Sequence, residues 1–171
     1  NQPVIATEDD QVLHYEIFVR LEDDKGELIP AGVFMPVVEK LGLAPTLDRI
    51  VLENVMSRWE KDGDSTIQYA VNLSPASLVD SAFLEWLYGT VLVSPQLAQG
   101  LIIEISEFGL QSNVEAVKSL IQRLKVLGVG TSLDHFGIGF ATVGYLRSLG
   151  VDYVKLDGSY IRDIETNSDN R

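Results

Sequence analysis

Segments with a period of two alternate along this chain with segments of period near 3.6, and that alternation restricts the fold more than any other feature of the sequence. Strands are predicted over 12–21, 66–74, 101–106, 130–136 and 151–156. Helices predicted over 34–40, 46–59, 76–92, 113–127 and 141–149 fall between them. This order argues for βαβ units and a parallel sheet, because two parallel strands need a crossover long enough to hold a helix. The run Leu101-Ile102-Ile103-Glu104-Ile105-Ser106 is nearly continuous apolar sequence, as expected of a parallel strand covered on both faces. Gln99-Gly100, Gly128 and Gly150 supply the breaks. The opening Gln2-Pro3-Val4-Ile5 is so short that its pattern supports a strand only weakly. The expected fold class is α/β, a parallel (β/α) barrel with about six strands, too few to close an eight-stranded barrel.

A chain of 171 residues fits one domain, 1–171, with room for a sizeable core. Its formal charge of −12 disfavours DNA, RNA and anionic lipid, whose binding rests on basic patches that displace counterions. A small anionic ligand remains open if divalent cations or a few placed Arg and Lys side chains reverse the sign locally. The absence of cysteine excludes disulfides, thiolate metal sites and a cysteine nucleophile, and fits a cytoplasmic setting. No apolar run approaches a membrane span, so no membrane contact is expected of this segment.

Each predicted strand carries one polar residue that an apolar strand interior would not tolerate: Glu16, Asn72, Glu104, Asp134 and Lys155. In a parallel barrel the strand ends gather at one face, so residues distant in sequence would converge there. Glu16, Asn72, Glu104 and Asp134 offer hard oxygen donors of the kind that Mg²⁺, Mn²⁺ or Ca²⁺ prefers. Lys155 would orient or activate a water beside such a site, or form a structural salt bridge. Taken singly, each polar group also reads as a helix cap or a partner for nearby backbone. His135 follows Asp134 and is open to three readings: metal ligand, proton carrier or packed side chain. The glycines of Phe136-Gly137-Ile138-Gly139-Phe140 permit a tight turn or a close ligand approach. His14 belongs to no ligand-spaced cluster and reads as a surface or strand residue, while Trp59 and Trp86 sit at helical spacing and read as core.

Together these motifs resemble the EAL domain family, bacterial proteins that bind or hydrolyse the second messenger cyclic di-GMP on a TIM-like barrel. Gln2-Pro3-Val4 is similar to the family's opening Gln-Pro-Ile, and Glu16-Ile17-Phe18-Val19-Arg20 stands where Glu-Ala-Leu-x-Arg is expected. Val71-Asn72-Leu73-Ser74 resembles its Asn-x-Ser strand, and Glu104-Ile105-Ser106-Glu107 its Glu-x-x-Glu. Asp152-Tyr153-Val154-Lys155-Leu156-Asp157 matches Asp-x-x-Lys-Ile-Asp. The resemblance implies that Glu16, Asn72, Glu104 and Asp134 bind a first Mg²⁺ or Mn²⁺, with Ca²⁺ as an inhibitory or structural substitute. It further implies that Lys155 lies by the attacking water, that Arg20 holds a ligand phosphate and that Gln2 touches the ligand.

The departures are as informative. Asp134-His135-Phe136-Gly137-Ile138-Gly139 stands in place of Asp-Asp-Phe-Gly-Thr-Gly, so a histidine replaces the second aspartate, a ligand of the second metal in the family. Loss of that charge weakens a two-metal mechanism, although an imidazole is able to coordinate. Ile138 replaces the threonine of the loop, and Phe18 the leucine of the signature. The family's later strands, with a further glutamate and a glutamine, have no counterpart before Arg171, and truncation in a polar loop is the expectation. The sequence therefore reads as a degenerate member similar to LapD-type receptors, a cyclic di-GMP-binding signalling domain with weak or absent hydrolysis. An active metal-dependent phosphodiesterase producing the linear dinucleotide is the alternative. A ligand-free protein-interaction module is a third, and a homodimer or a ligand-regulated protein partner is compatible with each.

Overall fold

The computed structural model describes residues 1–62, 66–139 and 142–162. The chain opens with β1 (Gln2–Ile5) and β2 (Val12–Ile17), followed by a small ribbon of β3 (Arg20–Glu22) and β4 (Leu28–Pro30). Helices α1 (Ala31–Lys40) and α2 (Ala44–Asp62) lead to β5 (Tyr69–Leu73). A 3₁₀ turn, α3 (Ser81–Leu92) and α4 (Pro95–Gln99) precede β6 (Leu101–Ser106). Then come α5 (Glu107–Ser112), α6 (Val114–Val126), β7 (Gly130–Phe136), α7 (Val143–Leu149), β8 (Tyr153–Leu156) and α8 (Gly158–Ile161). The main sheet runs β1-β2-β5-β6-β7-β8 and curls into half of a barrel, the α/β architecture expected from the sequence.

Within the main sheet every pairing from β2 onward is parallel, but β1 joins β2 antiparallel, a departure from the all-parallel expectation. The cause is chain length: only residues 6–11 link the two strands, too few for a crossover, and the Ala6 N–H donates to the Gln11 carbonyl at 2.8 Å. The short Gln2–Ile5 segment is thus a strand. The strand predicted over 12–21 is also divided. β2 stops at Ile17, and Arg20 begins a ribbon whose turn is built by Asp23, which accepts from the N–H groups of Lys25 and Glu27 at 2.8 and 2.9 Å.

The helix predicted over 76–92 breaks at Asp80, whose side chain caps α3 by accepting from the Phe83 N–H at 2.8 Å. The final predicted helix begins at Val143 behind a Thr142 cap, and Ala141 lies outside the described residues, as does the polar stretch 167–171.

Strand periodicity decides what faces what. Tyr69, Val71, Leu73, Leu101, Ile103, Ile105 and Leu133 pack into the core with Leu52, Leu87, Leu120, Ile121 and Leu124 from the helices. The intervening residues of the same strands point to the concave face, and that set contains Glu16, Asn72, Glu104 and Asp134. Trp59 and Trp86 are partly buried against the core, in keeping with their helical spacing.

Candidate functional site

Register brings the polar residues together. Asn72 pairs with Glu104, and Glu104 with Ser132, while Asp134 lies level with Ser106. Between Leu133 and Phe136 the ladder of β7 and β8 is irregular, so Asp134 and His135 both stand against the single residue Lys155. His135 has φ of 57°, the left-handed conformation that lets an extra residue bulge out and re-aims its neighbours. Asp134 keeps the strand alternation and so stays on the concave face beside Lys155, while His135 is the extra residue.

The Lys155 ammonium lies 2.9 Å from Glu16 Oε2, 3.0 Å from Glu104 Oε2 and 3.6 Å from Asp134 Oδ2. Asn72 Nδ2 donates to Glu16 Oε1 at 3.2 Å. Carboxylate oxygens of Glu16, Glu104 and Asp134 fall within 4.8 Å of one another. Burial pushes the Glu104 carboxyl up to about 7, against the opposing charge of Lys155 and with the help of the Glu16 charge. For Glu16 burial acts in the same upward direction, but the hydrogen bond and charge of Lys155 outweigh it and hold the group below its ordinary value. Burial lowers Lys155, yet its three acidic neighbours prevail and raise it.

These residues fit a divalent cation on chemical grounds. Among the described residues Glu104 Oε1 is buried without a hydrogen-bond partner, beside two further carboxylates and an amide, a set of hard oxygen donors. Asn72, the fourth donor expected from the sequence, stands beside them through its bond to Glu16.

Other predicted residues sit further out. His135 does not join the carboxylate group: Nδ1 lies 2.9 Å from Asp157 Oδ2 and Nε2 lies 3.5 Å from Asp134 Oδ2. Gln2 is exposed and directly opposite Glu16 across the antiparallel pair. Arg20 is exposed at the start of β3, where Nη1 donates to the Val19 carbonyl at 2.8 Å and the guanidinium stands 5.7 Å from the Phe18 ring centre. A cavity of about 440 Å³ opens beside Asn72 and His135, walled by Phe18, Met35 and Asp48.

Three residues carry more than their sequence reading. His14 is a buried strand residue and not a surface one; its ring lies 5.5 Å from that of Tyr153. Burial and then the Lys155 charge hold its imidazole below the ordinary value, with Glu16 opposing. Buried Glu107 accepts from the N–H groups of Gly137 and Gly139 at 3.0 and 2.9 Å and so fixes the loop after β7. Asp48 is buried under the end of β5. An acid on the apolar face of an otherwise helical pattern was the available signal for it. Gly137 has φ of 109°, and a Cβ there would stand 2.5 Å from the Tyr160 ring. Gly137→Ala is expected to lower stability by more than ~1 kcal/mol, read as a fall in melting temperature.

The EAL domain family profile matches residues 2–171. This chain belongs to the EAL domain family. Among curated relatives, the EAL domain is similar to the cyclic di-GMP phosphodiesterase PdeF of Escherichia coli (strain K12), 31% identical over 175 residues. It is also similar to the cyclic di-GMP phosphodiesterase PdeA of Borreliella burgdorferi, 32% identical over 155 residues. Those alignments take in 98% and 88% of this chain but only 22% and 23% of the relatives, so the chain spans less than a quarter of their length. Among solved structures, the FimX EAL domain of Pseudomonas aeruginosa bound to c-di-GMP superposes with a TM-score of 0.86 at 29% identity, covering 99% of this chain and 68% of that one. The PaMucR phosphodiesterase in complex with c-di-GMP gives 0.87 at 27% identity, over 99% and 70%. Vibrio cholerae LapD bound to c-di-GMP, at 24% identity and a TM-score of 0.89 over 99% of this chain and 41% of that one, shares the fold.

Proposed function

We propose that this EAL domain binds cyclic di-GMP as a signalling receptor and hydrolyses it weakly or not at all. The observation that carries the reading is His135. Where the family pattern has a second aspartate, this chain presents an imidazole whose two nitrogens face the carboxylates of Asp157 and Asp134. That position supplies no negative oxygen for a second cation. Relatives and structural neighbours named for c-di-GMP support the choice of ligand.

In this reading Glu16, Asn72, Glu104 and Asp134 would hold one Mg²⁺ or Mn²⁺. When bound, the ion supplies charge neutralisation for a phosphodiester on an otherwise acidic face. Arg20 and Gln2, at the exposed ends of β3 and β1, would contact ligand phosphate and ligand body respectively. An arginine offers two parallel donors to phosphate oxygens, so Arg20→Ala should weaken ligand binding roughly tenfold or more. Occupancy would then pass to a protein partner or a second copy of the chain.

A second reading rests on the placement of Lys155 among three carboxylates, suited to holding a water for attack on phosphorus with the bridging oxygen leaving to give the linear dinucleotide. His135→Asp separates the two. We expect turnover of cyclic di-GMP with Mn²⁺ to rise by roughly an order of magnitude or more over the unsubstituted protein, assayed against a Glu16→Ala blank. Equal, robust turnover in both would sink the receptor reading, as would calorimetry showing no affinity for cyclic di-GMP with or without Mg²⁺.

A further inference from the structure

We infer that Asp48, a buried carboxylate on α2, is a positioning residue that sets where Asn72 stands relative to Glu16. The hydrogen-bonded ladder between β2 and β5 ends at the pair Ile17 and Val71, and that between β5 and β6 ends at Leu73 and Ile105. Asn72 therefore sits on the last stretch of β5, past its final partner on β2. One residue beyond the ladder, the Ser74 N–H has no strand to donate to, and Asp48 Oδ2 accepts it at 2.8 Å.

The same oxygen accepts from Ser77 Oγ at 2.7 Å. Because the Ser77 hydroxyl hydrogen is committed to Asp48, the 3.1 Å contact between Ser74 Oγ and Ser77 Oγ has Ser74 as donor. Ser74 Oγ then accepts from the Ser77 N–H at 3.3 Å, and the Ser77 N–H also reaches the Ser74 carbonyl at 3.1 Å. Asp48, Ser74 and Ser77 are all buried, so water is a poor substitute for any member of this ring. Its effect is to clamp the turn after β5 to helix α2.

On the other side of that turn Asn72 is exposed, and its side-chain amide donates to Glu16 Oε1 at 3.2 Å. Val71 and Leu73 stay held by packing and the Asn72 backbone by its pairing with Glu104, so a loosened turn would first release the exposed Asn72 side chain from Glu16. Asp48 thus acts on the donor cluster through Asn72 without touching it. The consequence for a metal rests on the reading given under Proposed function, whereas the placement of Asn72 does not.

The test has a metal-free and a metal-loaded arm. In the metal-free protein, Asp48→Ala should move the Asn72 side-chain amide signals in a ¹⁵N NMR spectrum toward solvent-like positions. Gln68, whose amide donates to the Gln99 carbonyl before the start of β5, should stay in place. Asp48→Asn keeps an acceptor oxygen and should restore the Asn72 signals. In the loaded arm, Mn²⁺ affinity read by electron paramagnetic resonance should fall about tenfold in Asp48→Ala. It should fall no further when Asp48→Ala is added to Asn72→Ala, because both remove the same interaction. Unmoved Asn72 signals in folded Asp48→Ala, or losses that simply add, overturn the inference. If Asp48→Ala does not fold, Ser77→Ala takes its place, and unmoved Asn72 signals there overturn it equally. An unsubstituted protein that takes up no Mn²⁺ sinks the metal reading, and the metal-free signals still decide Asp48.

Discussion

Glu104→Gln is expected to raise the melting temperature of the metal-free protein at pH 8 while removing its response to divalent cations. Glu104 is buried and its carboxyl is pushed up to about 7, first by burial. A folded-state value above the unfolded value of about 4.3 means that folding retains the proton. The stability linked to that proton is present at low pH and is lost as pH rises from about 4.3 through about 7. By pH 8 the buried charge costs on the order of 3–4 kcal/mol, which glutamine avoids with nearly the same shape. Glutamine still offers Lys155 an acceptor, so the ion pairs with Glu16 and Asp134 need not rearrange. At pH 5 the two proteins should melt closer together. Cation binding should show the reverse order, with affinity falling roughly a hundredfold or more. Melts at pH 5 and 8 with chelator or Mn²⁺ read both effects. A variant less stable at pH 8, or one with an intact Mn²⁺ shift, would refute the assignment of Glu104 as the strained, cation-binding group. A residue that is costly to the fold and needed by a ligand is the mark of a functional site.

How much of this was legible in the sequence follows from the range of each interaction. β6 matches its predicted bounds because nearly continuous apolar sequence after Gly100 leaves little choice, and β7 because glycines at 128, 130 and 137 bracket it. The convergence of Glu16, Asn72, Glu104 and Asp134 was legible for a related reason: an acid or amide in an apolar strand is costly unless it finds a partner. The division at Ile17 was not legible, because the alternation continues through Phe18 and Val19 while the pairing partner changes. Nor was the bulge at Asp134 and His135, which exists only in register with β8. His14 illustrates the same limit. Its neighbours along the chain say nothing of Tyr153 on β8, separated from β2 by three strands of the sheet, whose ring helps to cover it. α5 escaped because six residues are too few for a helical period to show, yet Ser106 caps the turn by accepting from the Gly109 N–H at 3.0 Å. Asp48 was hidden because its partners lie 26 and 29 residues away.

Lys155→Met should split stability from cation affinity in a second way. Methionine keeps the length of the side chain and removes the positive charge that three carboxylates share. Breaking a buried ion pair from one side costs about 3–5 kcal/mol, and because the Lys155 side chain retains some exposure, about 2–3 kcal/mol is expected at pH 8. Without the ammonium, Glu16 loses the interaction that holds it below its ordinary value, and Glu104 loses its main opposing charge. Both carboxyls then take up protons at higher pH. The deficit should therefore be greatest at pH 8 and shrink as the pH falls toward 5. Mn²⁺ affinity at pH 8 should move the other way and rise at least roughly tenfold. An ammonium within 4 Å of the same oxygens opposes an incoming cation by several kcal/mol at an effective dielectric of about 20. Mn²⁺ should then restore a larger share of the lost melting temperature than it adds to the unsubstituted protein. Weaker Mn²⁺ binding in Lys155→Met would mean that Lys155 organises the donors instead of competing for them. The opposite result fixes its role as a charge that keeps an acidic half-barrel folded until a cation arrives.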